Sequence, residues 1–165
     1  MTISILEPDV SSSSQATGVV APNIKCVFLT AAEKDFREAV GVLRTARITL
    51  HHAASLEQAG FQLVRTHAGV LLTELKFLDG GWKDALKMLS ASHPRVALVL
   101  AASQADERQW IHALECGAFD LVGKPFQTQE LRRILENADA HAQTFTPPRA
   151  AGKTRSAGSG AQKFG

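Results

Sequence analysis

The chain is poor in cysteine and has no long hydrophobic run. It has 165 residues and only two cysteines, Cys26 and Cys116, which lie far apart and form no Cys-x-x-Cys motif. This excludes a disulfide framework and the usual structural zinc sites, and free thiols suit a reducing compartment. No apolar run approaches the roughly 20 residues of a membrane-spanning helix, and residues 1–21 lack the basic and apolar regions of a secretory signal. We therefore expect a cytoplasmic protein without a membrane partner.

Net charge is also low, at +2, and it is unevenly distributed. Residues 1–23 carry two acidic and no basic residues, residues 24–140 carry 14 of each sign, and residues 141–165 carry four basic and no acidic residues. The last segment is rich in Gly, Ala, Ser and Pro, so it cannot bury enough apolar surface to fold. We predict a flexible leader over 1–23, a folded domain over 24–140 and a disordered basic tail over 141–165. The length leaves no room for a second folded unit.

What the chain does contain is a regular succession of apolar strand-like and amphipathic helix-like segments. Runs that are apolar throughout are typical of parallel strands covered by helices on both faces. We predict an α/β fold, a flavodoxin-like doubly wound sheet of five parallel strands in the order 2-1-3-4-5, with five helices. Its functional crevice would lie at the carboxyl ends of the strands. The predicted strands are 24–30, 48–52, 69–75, 96–101 and 119–122, and the predicted helices are 34–44, 56–65, 82–89, 106–116 and a last one from 128.

Local signals define the ends and faces of these helices. Ser55 is placed to cap the second helix, and Gly117 to end the fourth. Helical spacing puts Phe36, Val40 and Leu43 on the apolar, core-facing side of the first helix. The apolar members of the second helix are Leu56, Phe61 and Leu63. Residues 76–81 are predicted to be a loop, because they end in Asp-Gly-Gly.

One stretch carries a family resemblance. Residues 117–126, with the sequence Gly-Ala-Phe-Asp-Leu-Val-Gly-Lys-Pro-Phe, resemble the end of the receiver domain of two-component response regulators, of the chemotaxis-regulator-like type. Residues 70–74 and 79–82 resemble the third strand and following loop of the same family, and the likeness covers about 24–138. It implies an aspartate after strand three that accepts a phosphoryl group from a histidine kinase. It also implies an acidic pair that holds Mg²⁺, two switch residues, and a lysine that pairs with the phosphoryl group.

The phosphoryl-transfer positions depart from the family pattern. The acidic pair falls on Thr30 and Ala31, and no carboxylate follows before Glu33. The acceptor position falls on Glu74, or on Thr73 if the following loop is matched without a gap. Mg²⁺ requires hard oxygen ligands, so the resemblance implies weak metal binding at best, no cofactor and no metal site.

The signal-transmitting positions depart as well. The switch positions fall on Ala102 and Leu121, where the family has a hydroxyl and an aromatic group, whereas the Lys-Pro pair is retained as Lys124 and Pro125. We therefore interpret the chain as a degenerate, or pseudo-, receiver. Glu74 beside Lys124 would then either imitate the phosphorylated state or form a structural ion pair that fills the old pocket.

The expected function is that of a stand-alone, phosphorylation-independent receiver domain in bacterial signal transduction. It would have no catalytic residues and would not be an enzyme; it would act by binding protein partners, a second copy among them. Trp110, on the fourth helix, is the candidate partner-face residue, since tryptophan is enriched at binding hot spots; alternatively it packs with Leu114 at the edge of the core. Trp82 is expected to anchor the loop before it.

Two other functions stay open. The chain could still accept a phosphoryl group at Glu74 or Thr73 within a phosphorelay. It could also associate with nucleic acid through its basic tail, although four dispersed charges without stacking aromatics support only weak contact. A solubilising tail is the simpler interpretation, so we expect no nucleic-acid partner.

Overall fold

The computed structural model describes residues 23–104 and 106–146. Strands and helices alternate along the chain, as the hydrophobic pattern predicts. The elements are β1 (Ile24–Leu29), α1 (Glu33–Val42), β2 (Ile48–Ala53), α2 (Leu56–Thr66), β3 (Val70–Glu74), β4 (Lys76–Phe77), β5 (Gly80–Gly81), α3 (Trp82–Ser92), β6 (Ala97–Ala102), α4 (Glu107–Cys116), β7 (Asp120–Gly123) and α5 (Thr128–Thr144).

The main sheet has five parallel strands in the order β2-β1-β3-β6-β7. This is the predicted 2-1-3-4-5 order when the long strands alone are counted, so the predicted fold class is confirmed. The order reverses beside β1, so helices cover both faces of the sheet. The carboxyl ends of β1, β3, β6 and β7 therefore meet at one edge.

Alternate residues of the strands enter two separate cores. Phe28, Leu72 and Val99 pack on the face covered by α1 and α5. Val27 and Leu71 pack on the opposite face, beneath α2, α3 and α4. Both faces of β1, β3 and β6 are thus buried, which explains why these segments are apolar throughout.

The segment between β3 and α3 was predicted to be a loop, but it has regular structure. It forms an antiparallel hairpin in which Lys76 pairs with Gly81 and Phe77 with Gly80. The loop prediction was wrong because Phe77 is buried in the core and the two glycines let the chain turn back closely. The Asp79 carboxylate in the turn also accepts the first backbone N–H of α2, at 3.2 Å.

Two side chains predicted to face the core are exposed instead. Val40 is 43% exposed and Phe61 is 65% exposed, whereas Ala39 and Ala59 are fully buried. The sides of the helices that pack on the sheet carry Ala39 with Phe36 in α1 and Ala59 with Leu63 in α2, so Val40 and Phe61 lie on other sides. The predicted ends hold better: Ser55 accepts a hydrogen bond from the Gln58 N–H, and Gly117 ends α4 with φ of 122°.

The last helix extends beyond the predicted end of the folded domain. It continues to Thr144, beyond the predicted boundary at 140, because Ala142 is buried and the His141 ring packs against Phe119 and Phe145. The predicted leader, apart from residue 23, and residues 147–165 of the predicted tail lie outside the described residues. Among the helices described, none combines the length and the apolar character required to cross a membrane.

Candidate functional site

The carboxyl edge of the sheet carries an open cavity of about 360 Å³. Its position is the one predicted for the functional crevice, at the ends of β3, β6 and β7. It is lined by Glu74, Leu75, Lys76, Ala101, Ala102, Ser103, Gln104 and Lys124.

One of the residues that line this cavity, Lys124, is held between two carboxylates. The Lys124 Nζ lies 2.6 Å from Glu74 Oε1 and 2.7 Å from Asp35 Oδ2. The three side chains are only 14%, 18% and 19% exposed, respectively. The expected contact between Glu74 and Lys124 is thus confirmed. Breaking a mostly buried pair of this kind leaves an uncompensated charge, which is strongly destabilising.

Asp35 is the site residue that the sequence did not reveal. It is the third residue of α1, and the first turn of that helix lies at the same edge of the sheet as Lys124. The nearer carboxylate in the sequence, Glu33, instead forms an exposed pair with Arg37 at 3.2 Å. The available signal was the position of Asp35 in the first turn of α1, since helices of this fold begin at the carboxyl edge.

The two carboxylates keep Lys124 charged. Burial by itself lowers the pKa of Lys124, but hydrogen bonds and charge attraction from Asp35 and Glu74 outweigh it, so the pKa is raised above its ordinary value. With the ammonium charged, two carboxylates and one cation leave the cluster with a formal charge of −1.

Thr30, at one of the acidic-pair positions, connects the cluster to the sheet. Its hydroxyl donates to Glu74 Oε2 and accepts the Ala32 backbone N–H at 3.0 Å. Its carbonyl oxygen lies 3.0 Å from the His52 Nε2. Both oxygens of Glu74 are therefore engaged, one by Lys124 and the other by Thr30. Ala31, the other acidic-pair position, is exposed and offers no side-chain ligand.

Thr73, the second candidate acceptor, has no access to solvent. It is fully buried, and its hydroxyl donates to the carbonyl oxygens of Leu29 and Glu74, each at 3.3 Å. The cavity therefore contains Glu74 and not the Thr73 side chain.

The two switch positions contain buried apolar side chains. Ala102 ends β6 and is 7% exposed, and Leu121 in β7 is 4% exposed. Leu121 belongs to the core beneath α2, α3 and α4, which also includes Ala113 of α4. Neither side chain can form a hydrogen bond toward the cluster.

The loop after β7 is fixed to the core beyond the retained Lys-Pro pair. The peptide bond between Lys124 and Pro125 is cis. The next residue, Phe126, is buried and packs edge-on against Phe28, with ring centroids 6.0 Å apart. This anchor holds the base of the Lys124 side chain at the edge of the sheet.

The α4 helix presents an apolar outer surface. Trp110, Ile111 and Leu114 are 42%, 48% and 40% exposed, and we call these three residues the α4 patch. Of the ten residues of α4, all of them described, only Ala113 is buried. Trp110 and Leu114 lie one turn apart on the helix, yet both leave large apolar area in solvent. Trp82 is half-buried against the core, with its ring edge-on to His112 at 5.8 Å.

Comparisons with the sequences of known proteins find bacterial regulatory proteins. No protein-family model matches the chain. The response regulator PilR of Pseudomonas aeruginosa is 26% identical over 107 residues, which are 64% of this chain and 24% of the relative. The regulatory protein AtoC of Escherichia coli is 33% identical over 72 residues, which are 44% of this chain and 16% of the relative. The chain thus spans about a quarter or less of the length of these relatives.

Solved structures give the same class. A putative response regulator from Chloroflexus aurantiacus superposes with a TM-score of 0.65 at 23% identity, covering 73% of this chain and 99% of the other. The beryllofluoride-activated receiver domain dimer of NtrC4 superposes with a TM-score of 0.64 at 14% identity, covering 72% and 98%. The doubly wound sheet with its site at the carboxyl edge defines a flavodoxin-like α/β domain. Within that class, the chain has the fold of the receiver domain of two-component response regulators.

Proposed function

We propose that this receiver-fold domain works in bacterial signal transduction without being phosphorylated, and that it acts by binding a protein partner through the α4 patch. The observation that carries the proposal is the closed cluster of Lys124 with Glu74 and Asp35. It stands where the family resemblance places phosphoryl transfer.

The state of Glu74 supports phosphorylation independence. An acceptor carboxylate has to attack phosphorus with a free oxygen, and both oxygens of Glu74 already accept hydrogen bonds, from Lys124 and Thr30. Phosphorylation at this position would require at least one of these contacts to break. The other candidate acceptor, Thr73, is fully buried and out of reach of a phosphoryl donor.

The switch positions support the same conclusion. A phosphoryl signal has to move a bistable element that contacts both the site and the output surface. Ala102 and Leu121 have no polar atom in their side chains with which to sense charge in the cavity. We infer that the cluster maintains one conformation, and that the α4 patch is available in it continuously.

The α4 patch supports a protein as the partner. Three large apolar side chains lie together on a helix that buries one alanine against the sheet. Exposed apolar area that includes a tryptophan is typical of protein interfaces. One neighbour in fold, the NtrC4 receiver domain, is described as a dimer, so a second copy of this chain is one candidate partner.

The proposal also includes the expectations from the sequence about catalysis, location and other partners. Binding rather than catalysis is the function, in the cytoplasm, and neither a membrane nor a nucleic acid is the partner. The nucleic-acid alternative depends on the basic tail, and most of that tail lies outside the described residues.

The α4 patch is tested by affinity capture with matched variants. Trp110→Ala removes the largest side chain of the patch, and Phe61→Ala removes an aromatic side chain that is more exposed, at 65% against 42%, from α2. We expect Trp110→Ala to reduce capture of signalling partners, or self-association in sedimentation, by about tenfold or more. Phe61→Ala should behave as wild type. The assignment of the patch would be contradicted if both variants lost binding equally, or if neither variant lost binding.

A further inference from the structure

The cluster at the carboxyl edge has the form of a cation site that already contains its cation. Asp35 and Glu74 come from different elements, and their carboxylates converge on one point. Like charges brought this close repel each other unless a cation lies between them. Here that point is the Lys124 Nζ, at 2.6 and 2.7 Å from the two carboxylate oxygens.

We propose that the Lys124 ammonium is the resident cation of this site and replaces the Mg²⁺ that receiver folds imply. The inference deepens the proposed function, since it gives a reason for phosphorylation independence, and its biological meaning rests on that function. The chemical claim concerns this chain's own residues and can be tested without a partner.

The two carboxylates present are not free to bind Mg²⁺, because the lysine already engages both of them. This ion needs octahedral oxygen ligands at about 2.0–2.1 Å, usually waters with one or two carboxylates. The ammonium engages one oxygen of each carboxylate, and the Thr30 hydroxyl engages the second oxygen of Glu74. Within the part of the chain that the structure describes, no group of three or more His, Cys, Asp or Glu side chains could hold a metal ion.

A divalent ion could enter only by expelling the ammonium. Lys124 is 14% exposed, and the loop that follows it is anchored by the buried Phe126. The side chain therefore stays close to the carboxylates. An incoming Mg²⁺ would also have to release tightly held waters in order to reach them.

If the lysine occupies the place of a metal ion, removing it should allow a metal ion to bind, and this can be measured. Removing the lysine charge changes the cluster from a formal −1 to −2 and leaves two facing carboxylates, which should attract a divalent cation. We expect Lys124→Met to bind Mn²⁺ at least about tenfold more tightly than wild type does. Paramagnetic resonance of free Mn²⁺ provides the readout. Lys76→Met, which removes an exposed lysine from the rim of the same cavity, should bind as wild type does.

A double variant identifies the ligands. Adding Asp35→Asn to Lys124→Met should return Mn²⁺ binding to the wild-type level. Wild-type protein that binds Mn²⁺ as tightly as Lys124→Met, or a double variant that keeps the gain, would overturn the inference. Circular dichroism checks that each variant is folded.

If Lys124→Met does not fold, wild type and Asp35→Asn decide the question. Mn²⁺ left free by both proteins supports the inference, and Mn²⁺ bound by wild type but not by Asp35→Asn refutes it. Partner capture is measured separately. A wild-type protein that binds Mn²⁺ and still loses its partner in Trp110→Ala would refute this inference alone.

Discussion

Lys124 should contribute more to stability than either of the carboxylates it contacts. Asp35→Asn or Glu74→Gln leaves one carboxylate paired with the ammonium, so each should cost about 1 kcal/mol, the scale of one hydrogen-bonded partner. Lys124→Met removes the only cation of the three-residue cluster. It leaves two carboxylates, 18% and 19% exposed, facing each other. Breaking a buried ion pair in this way costs about 3 kcal/mol at the lower end of measured values.

The expected loss is large for a domain of this size. With about 4 °C of melting temperature per kcal/mol, Lys124→Met should melt about 12 °C below wild type. Urea unfolding in low-salt buffer, followed by circular dichroism, measures the free energy of unfolding directly. Lys76→Met is the control, because this lysine is exposed and should change stability by less than about 0.5 kcal/mol.

A second substitution tests the electrostatic reason. Asp35→Asn introduced into Lys124→Met removes one of the two facing charges, so it should recover part of the lost stability instead of adding to the loss. The reasoning is refuted if Lys124→Met loses no more than Lys76→Met. It is also refuted if the double variant is less stable than Lys124→Met alone.

Two further predictions concern the opposite edge of the sheet. Asp139 is 9% exposed, and burial raises its pKa despite a hydrogen bond from Gln143. Its charged form is therefore disfavoured in the fold, and the free energy of unfolding should fall as pH rises from the ordinary carboxyl range through the raised pKa. Asp139→Asn should be more stable than wild type at neutral pH, on the order of 1 kcal/mol, and equal to it in acid; urea midpoints that keep the same difference at every pH would contradict this. Gly69→Ala would place a methyl group 2.7 Å from the Asp139 Oδ1, so thermal melting should show a loss of about 1–3 kcal/mol, and an unchanged midpoint would show that the carboxylate moves freely.

The sheet could be predicted from the sequence because its strands carry the signal themselves. The segments that form β1, β3 and β6 are apolar on both faces, which is typical of strands in a parallel sheet that helices cover on both sides. Ser55 and Gly117 mark helix ends through local backbone chemistry, and both were placed correctly. These features depend on neighbours in the chain, so one sequence is enough to find them.

The wrong predictions concern positions where contacts with distant parts of the chain decide between locally possible structures. Phe61 and Ala59 lie two positions apart on α2 and therefore face different sides of the helix, and the side with Ala59 and Leu63 is the one that packs on the sheet. The hairpin after β3 depends on Phe77 entering the core, a contact that composition does not indicate.

Two of the three charged residues of the candidate site could be identified from the sequence. Glu74 and Lys124 were singled out by the family resemblance, and both also lie at the edge where the carboxyl ends of the strands were expected to meet. Asp35 was missed because it contacts Lys124 only once α1 and the loop after β7 meet at the same edge of the sheet, and the two residues are 89 positions apart in the sequence. The alternative acceptor, Thr73, could not be separated from Glu74 by spacing alone, since burial is a property of the fold.

The most direct test of phosphorylation independence is intact mass after incubation with acetyl phosphate and Mg²⁺. A receiver domain with an acceptor aspartate serves as the positive control, and Glu74→Gln as the negative one. We predict that wild type keeps its unmodified mass while the positive control gains an adduct of about 80 Da. A wild-type adduct of that size, absent from Glu74→Gln, would contradict the account.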